Sequence, residues 1–245
     1  MTRKLLVLIV VALAVLAGVP AMAQEPANVN VWIAFTDAGR LGWAQARAAE
    51  FNELFPQYNV SVEGYANYEE LFSATALAAE QGSLPAVVQY FEVATQDARD
   101  SGYFTSIAEA LGGRTEVNGV PVNFEDIIGP VRAYYTLDGE FTSMPWNTSS
   151  AIFFSNMTIL NQAGIFTPPS TWEEVANTCA AVMALENAPE FCFTWPNHGW
   201  FFEQWLAQQN AEFANNGNGR EARATEVTFN SEAGVAILEW LDEML

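Results

Sequence analysis

An alternation of strand-like and helix-like segments in the first hundred residues limits this chain more than any other feature. Residues 30–35 form an apolar run of strand type. Residues 41–55 carry apolar or alanine positions at helical spacing and stop at Pro56. Residues 58–65 alternate, with Val60 and Val62 on one face. Asn67, with Glu70 three positions later, predicts the start of a helix from Tyr68 to about Gln81, closed by Gly82. A third apolar strand over residues 86–91 ends at Glu92, and a helix over 94–101 stops at Gly102. Strand followed by helix three times over predicts a parallel sheet in an α/β fold. Ligands of such sheets meet the chain beyond the carboxyl ends of the strands. Asp37, Tyr68 and Glu92 fall there, one after each strand.

The next forty residues are less regular. Helical turns are expected over 107–111 and 124–131, and a strand over 132–137. Asp138-Gly139 predicts a tight turn joining that strand to another over 140–146. Residues 143–156 then place Asn147, Thr148, Ser149 and Ser150 between Met144-Pro145-Trp146 and an apolar strand over 151–154. Small hydroxyls amid aromatics suit a polar ligand meeting backbone, although a Ser- and Asn-rich turn reads the same way locally. A second α/β region follows: a helix over 156–163, another started by Thr171-Trp172-Glu173-Glu174 and running to about Leu185, and a short strand over 191–194. An aromatic helix over 199–208, a strand over 226–229 and an amphipathic helix from Ser231 complete it.

The first 23 residues have the form of an export leader: Arg3-Lys4, an apolar core from Leu5 to Leu16, and Ala21-Met22-Ala23 for cleavage after Ala23. The apolar run is short for a membrane span of ~20 residues, so a cleaved leader and a periplasmic location are expected. The sequence carries a net charge of -20. Its arginines do not cluster, which argues against nucleic acid and against anionic lipid. Cys179 and Cys192 stand before and after Pro189 and are either a disulfide, favoured in an exported protein, or two buried thiols. One histidine and two cysteines match no zinc pattern, and no cofactor or metal is expected. An exported enzyme and an interaction or structural domain are the competing classes; no nucleophile elbow, HExxH, phosphate loop or opposed carboxylate pair appears, so a non-enzyme is expected.

Several segments, in order, resemble the extracellular solute-binding proteins of bacterial ABC importers, the family that includes maltose-binding protein. They are Arg47 with Glu50-Phe51-Asn52 and Pro56; Gly64-Tyr65-Ala66-Asn67-Tyr68-Glu69; Pro85 through Val93; Met144 through Ser150 with Phe153-Phe154-Ser155-Asn156; Ala163-Gly164 with Pro169 and Thr171 through Glu174; Gly199-Trp200; and Phe213 through Gly219 with Phe229-Asn230. The resemblance implies a two-lobed venus-flytrap fold of type II, incomplete at its C-terminus, because members are longer and the last helix ends without a stop signal. It implies a leader over 1–23, a partial first lobe over 24–142, a hinge over 143–156 and a partial second lobe over 157–245. The implied activity is capture of sn-glycerol-3-phosphate or glycerophosphodiesters between the lobes by a monomer, and delivery to ABC permease subunits. A neutral sugar or oligosaccharide is the alternative ligand, and an exported glycan- or phosphodiester-cleaving enzyme the lower-ranked one.

The resemblance also carries ligand contacts, each with a plainer alternative. Tyr68 would donate its hydroxyl or stack on a ligand, unless it only staples the helix entry. Glu92 would accept bonds from polyol hydroxyls, unless it is a solvated strand end. Ser149 and its neighbour Ser150 would bond sugar or phosphate oxygens; the family motif has Thr at 150 and Ser at 148, so hydroxyls are kept. Trp200 and Trp195 would pack on apolar or cationic ligand faces, unless both are core. Asp37 is a polar loop position, and His198 reads as a loop residue. No arginine is placed in the cleft by the sequence, so phosphate-binding residues are expected beyond residue 245.

Overall fold

The computed structural model describes residues 25–244; the leader expected over 1–23 and its cleavage point lie outside them. Contacts group the chain into two units, one ending at Thr105 and the other beginning at Ser106.

The first unit is the strand–helix alternation made real. Strand β1 (Ala27–Ile33) pairs in parallel with β2 (Tyr58–Gly64) along its whole length and with β3 (Val87–Val88), giving the order β2-β1-β3. Helix α1 (Arg40–Leu54) links β1 to β2, and α2 (Tyr68–Glu80) links β2 to β3. α2 begins as its capping residues dictate: Asn67 accepts a bond from the Glu70 amide at 2.8 Å, and Glu70 takes the Ala66 amide in return. A short 3-10 turn (Glu92–Ala94) then leads into α3 (Thr95–Ser101), which Gly102 ends with φ of 69°. Ile33, Ala34, Ala44, Ala48, Leu71 and Ala78 fill the space between sheet and helices. Thr75, 0% exposed among them, returns its hydroxyl to the Leu71 carbonyl at 2.8 Å.

Two expectations in this unit shift. β1 ends at Ile33 instead of Phe35. The strand expected over 86–91 is reduced to Val87–Val88, flanked by single bonds from Ala86 to Asn30 and from Gln89 to Trp32. Tyr90 and Phe91 leave the ladder for ring partners, Phe72, which Tyr90 meets at a tilt, and Tyr68, on which Phe91 stacks, at 4.3 and 4.4 Å between centroids.

The second unit is helix-rich, with short hairpins. Helix α4 (Ile107–Leu111) is capped by Ser106. β4 (Glu116–Val117) and β5 (Val120–Pro121) form a hairpin on Asn118-Gly119, both at positive φ. The helical turn expected over 124–131 sits later, as α5 (Gly129–Tyr134), because Pro130 is tolerated only in a first turn. It consumes most of the strand expected from Arg132. What remains is a minimal hairpin, β6 (Thr136–Leu137) and β7 (Glu140–Phe141), on the predicted Asp138-Gly139 turn. Helices α6 (Met157–Gln162), α7 (Trp172–Met183), α8 (Gly199–Gln208) and α9 (Glu232–Met244) follow. Asn156 and Thr171 cap α6 and α7.

The strands expected over 151–154, 191–194 and 226–229 do not form. The first two are irregular, and the third keeps one isolated bridge, Val227 to Ala214. A strand needs its backbone groups paired along its length; among the described residues no segment ladders with the first two, and the third makes only the bonds from Asn215 to Glu226 and from Thr228 to Phe213. Ile152 and Phe154 are 72% and 85% exposed as a result. The core of this unit is Trp205, Leu206 and Ile237, with Trp195, Phe201 and Phe202 packed on it. Cys179 on α7 and Cys192 in the following loop are disulfide-bonded, their Cα atoms 5.3 Å apart.

Candidate functional site

In the first unit the three predicted positions lie at the carboxyl end of the sheet. Asp37 is in the loop between β1 and α1. Its Oδ1 accepts the Arg40 amide at 2.9 Å and its Oδ2 the Arg40 Nε–H at 2.6 Å. Those two bonds, backbone first, hold its carboxyl below the usual range. Asp37 is therefore already engaged in starting α1. The Arg40 guanidinium carbon lies 3.9 Å from the centroid of the Phe35 ring, a cation–π contact. Phe35 meets Tyr68 edge-on at 6.4 Å. Tyr68 stacks flat on Phe91 at 4.4 Å and 8°. Glu92 is next in sequence, half-buried at the head of its 3-10 turn.

Burial raises the Tyr68 phenol above its usual pKa, the Glu92 carboxylate adds to the shift, and Arg40 opposes it. One phenol thus feels both charges. Phe35, Arg40, Tyr68, Phe91 and Glu92 make a surface with a flat apolar floor, one acid and one guanidinium. Such a surface can hold a small polar molecule by its carbon skeleton, hydroxyls and charge.

Local sequence explains this convergence. Asn67 fixes Tyr68 as the first residue of α2, so its ring stands over the strand ends. Gly64 closes β2 where the Phe35 carbonyl passes so near that a Cβ would lie 2.3 Å from it. The absence of a side chain at 64 is what lets the Phe35 loop settle against the sheet.

The remaining predicted positions belong to the second unit. Ser149 and Ser150 are exposed in an irregular segment. That segment is tied down four residues on, where Phe153 packs on Phe193 at 5.6 Å. Phe193 in turn stacks on Trp195 at 5.1 Å, and Trp195 meets Trp205 edge-on at 6.0 Å. Trp195 is half-buried, with one side on the core. Trp200 is half-buried in the first turn of α8 and meets Phe201 edge-on at 5.3 Å. His198 caps that helix, its Nδ1 accepting the Trp200 amide at 3.1 Å.

Sequence reasoning passed over Arg40, Phe35 and Phe91. The signal for Arg40 was an acid and a base three apart just after a strand. Among the described residues no group of three or more His, Cys, Asp or Glu side chains could hold a metal ion. No helix among them is long and apolar enough to cross a membrane.

Residues 46–245 match the family of bacterial extracellular solute-binding proteins. The sn-glycerol-3-phosphate-binding periplasmic protein of Salmonella typhimurium is 28% identical over 204 residues, 80% of this chain and 45% of its own length. That of Escherichia coli K12 is 26% identical over 228 residues, 91% of this chain and 50% of its own. The chain thus spans about half the length of the relatives it matches. Among solved structures, the sugar-binding protein MalE from Xanthomonas citri superposes with a TM-score of 0.69 at 18% identity, over 89% of this chain and 51% of that one. The galacto-N-biose-/lacto-N-biose I-binding protein from Bifidobacterium longum gives 0.67 at 13% identity, over the same shares. The α/β periplasmic-binding-protein fold expected from the resemblance is shared with these structures over that half. Family match and fold agree, and the chain belongs to the bacterial extracellular solute-binding proteins.

Proposed function

We propose that the protein is the solute-binding component of an ABC transporter, and that its solute is sn-glycerol-3-phosphate or a glycerophosphodiester. The observation that carries this reading is the stacked Tyr68–Phe91 pair beside Glu92 at the strand ends, in a chain of this family. The stack would take the carbon skeleton and Glu92 the hydroxyls. In this proposal the first lobe runs over 24–142, residues 143–156 form the hinge and 157–245 begin the second lobe. Ser149, Ser150, Trp195 and Trp200 would complete the contacts. The protein would be exported after cleavage behind Ala23, act as a monomer and hand its solute to permease subunits. A neutral sugar is the second reading, suggested by the sugar-binding protein MalE and the lacto-N-biose I-binding protein among the structural relatives.

A thermal-shift series separates the two, since a ligand that binds only the folded chain stabilises it by mass action. Glycerol phosphate, glycerophosphocholine and maltose are the compounds to compare. Glu92→Ala should weaken polyol binding by about 1–3 kcal/mol, the cost of a buried partner left unpaired. An unchanged dissociation constant would remove Glu92 from the site, and a chain stabilised by none of the three would sink the reading.

A further inference from the structure

We infer that Arg40 is the residue by which the first unit reads an anionic group on its solute, a phosphate ester. The inference rests on the solute-binding reading above and adds a residue that the sequence reading left out.

Arg40 is positioned by two partners, Asp37 and Phe35. Its amide and its Nε–H both go to the Asp37 carboxylate, at 2.9 and 2.6 Å. One face of its guanidinium lies against the Phe35 ring. Phe35 is itself set by Tyr68 and by the close passage over Gly64. A long side chain ordinarily loses entropy when it binds; here much of that ordering is already in place.

The donors that remain are the useful ones. A guanidinium has five N–H groups in a planar fork. Asp37 takes the Nε hydrogen, and among the described residues no acceptor takes those on the Nη nitrogens. The side chain is 62% exposed, so these donors are reachable from solvent. A planar pair of N–H groups matches two oxygens of a phosphate, where an ammonium would offer only a point charge.

The surroundings give such a cation a purpose. The chain carries a net charge of -20 and the neighbouring Glu92 is an acid, so an anion approaches against the general field. A polyol phosphate can satisfy every group present. Its hydroxyls face Glu92, its carbons cover the Tyr68–Phe91 stack, and its phosphate meets the Nη edge of Arg40. Asp37 then acts as the positioning residue for Arg40, which explains why a carboxylate stands beside an anion site.

The test is isothermal titration of the purified protein with sn-glycerol 3-phosphate and with maltose, for wild type, Arg40→Gln and Arg40→Lys. The expected result is a fall of about tenfold or more in the affinity for sn-glycerol 3-phosphate in Arg40→Gln, with any maltose affinity left unchanged. Arg40→Lys should fall between, keeping charge but not the fork. Added salt should weaken phosphate-ester binding in wild type more than in Arg40→Gln. An unchanged affinity for sn-glycerol 3-phosphate in both variants overturns the role of Arg40 and leaves the solute reading standing. A wild type that binds only maltose also overturns it, and a wild type that binds neither compound overturns both.

Discussion

Asn52 performs a strand's task with a side chain, and removing it should cost about 2 kcal/mol. β2 is an edge strand, bonded to β1 on one side only. On its open side the Asn52 amide, projecting from α1, accepts the Val60 N–H at 2.7 Å and donates to the Val60 carbonyl at 3.0 Å. Gln45 reaches the Val62 carbonyl two residues on, at 3.4 Å. Asn52→Ala removes both bonds at Val60, at a net cost of about 1 kcal/mol each, and the site is only partly buried, so water recovers some of any further penalty. With a urea slope of about 2 kcal/mol/M, the unfolding midpoint should fall by roughly 1 M. Hydrogen exchange gives the local reading: the Val60 amide should lose protection in the variant. Asn52→Asp should do no better than alanine, since it keeps the acceptor but sets a carboxylate against a carbonyl. Asn59→Ala, which loses only an exposed side-chain bond to Asn28, is the control and should cost less than about 0.5 kcal/mol. If Asn52→Ala matches that control and Val60 exchange is unchanged, the helix does not hold the sheet edge in this way.

Gly64→Ala should destabilise the first unit by about 1–3 kcal/mol, because the Phe35 carbonyl must retreat from the new methyl group; solute titration should show weaker binding at temperatures where the variant remains folded. Cys179→Ser should lower stability by about 2–4 kcal/mol, as opening a cross-link between residues 13 apart relaxes the unfolded chain; non-reducing mass spectrometry after alkylation should find no free thiol in the wild type. Stability should fall as the pH drops from neutral through the carboxylate range. Glu174, bonded by the Ser170 amide and hydroxyl, Asp37, bonded by Arg40, and Glu125, bonded by Arg132, all have lowered pKa values in the folded chain. The unfolded chain therefore takes up protons first and is favoured in acid; urea midpoints for wild type and Glu174→Gln should converge as the pH is lowered.

Elements whose signals were local could be read from the sequence. Asn67 with Glu70, Thr171 with Glu174, and Asp138-Gly139 each mark a helix start or a turn through bonds made within a few residues, and each stands where those residues put it. Strand lengths could not be read so well. Tyr90 and Phe91 have strand-forming side chains, yet they leave the ladder for Phe72 and Tyr68, distant in sequence. Ile152 through Phe154 have the composition of a strand but no ladder partner among the described residues. Arg132 through Tyr134 were claimed by a helix that Pro130 could start. At the candidate site, strand ends pointed to Tyr68 and Glu92. Arg40 escaped because its meaning lies in the Phe35 ring beneath it, a contact that no spacing rule announces.

The Cys179–Cys192 bond has a practical side. Three residues beyond Cys192 the chain lays Trp195 onto Trp205, so the cross-link moors the strap that carries this tryptophan to the core. Bacteria that make this protein in a reducing cytosol would deliver it with that strap untied. Material for solute titrations is best prepared where this bond can close, so that the Trp195–Trp205 contact is measured with its cross-link in place.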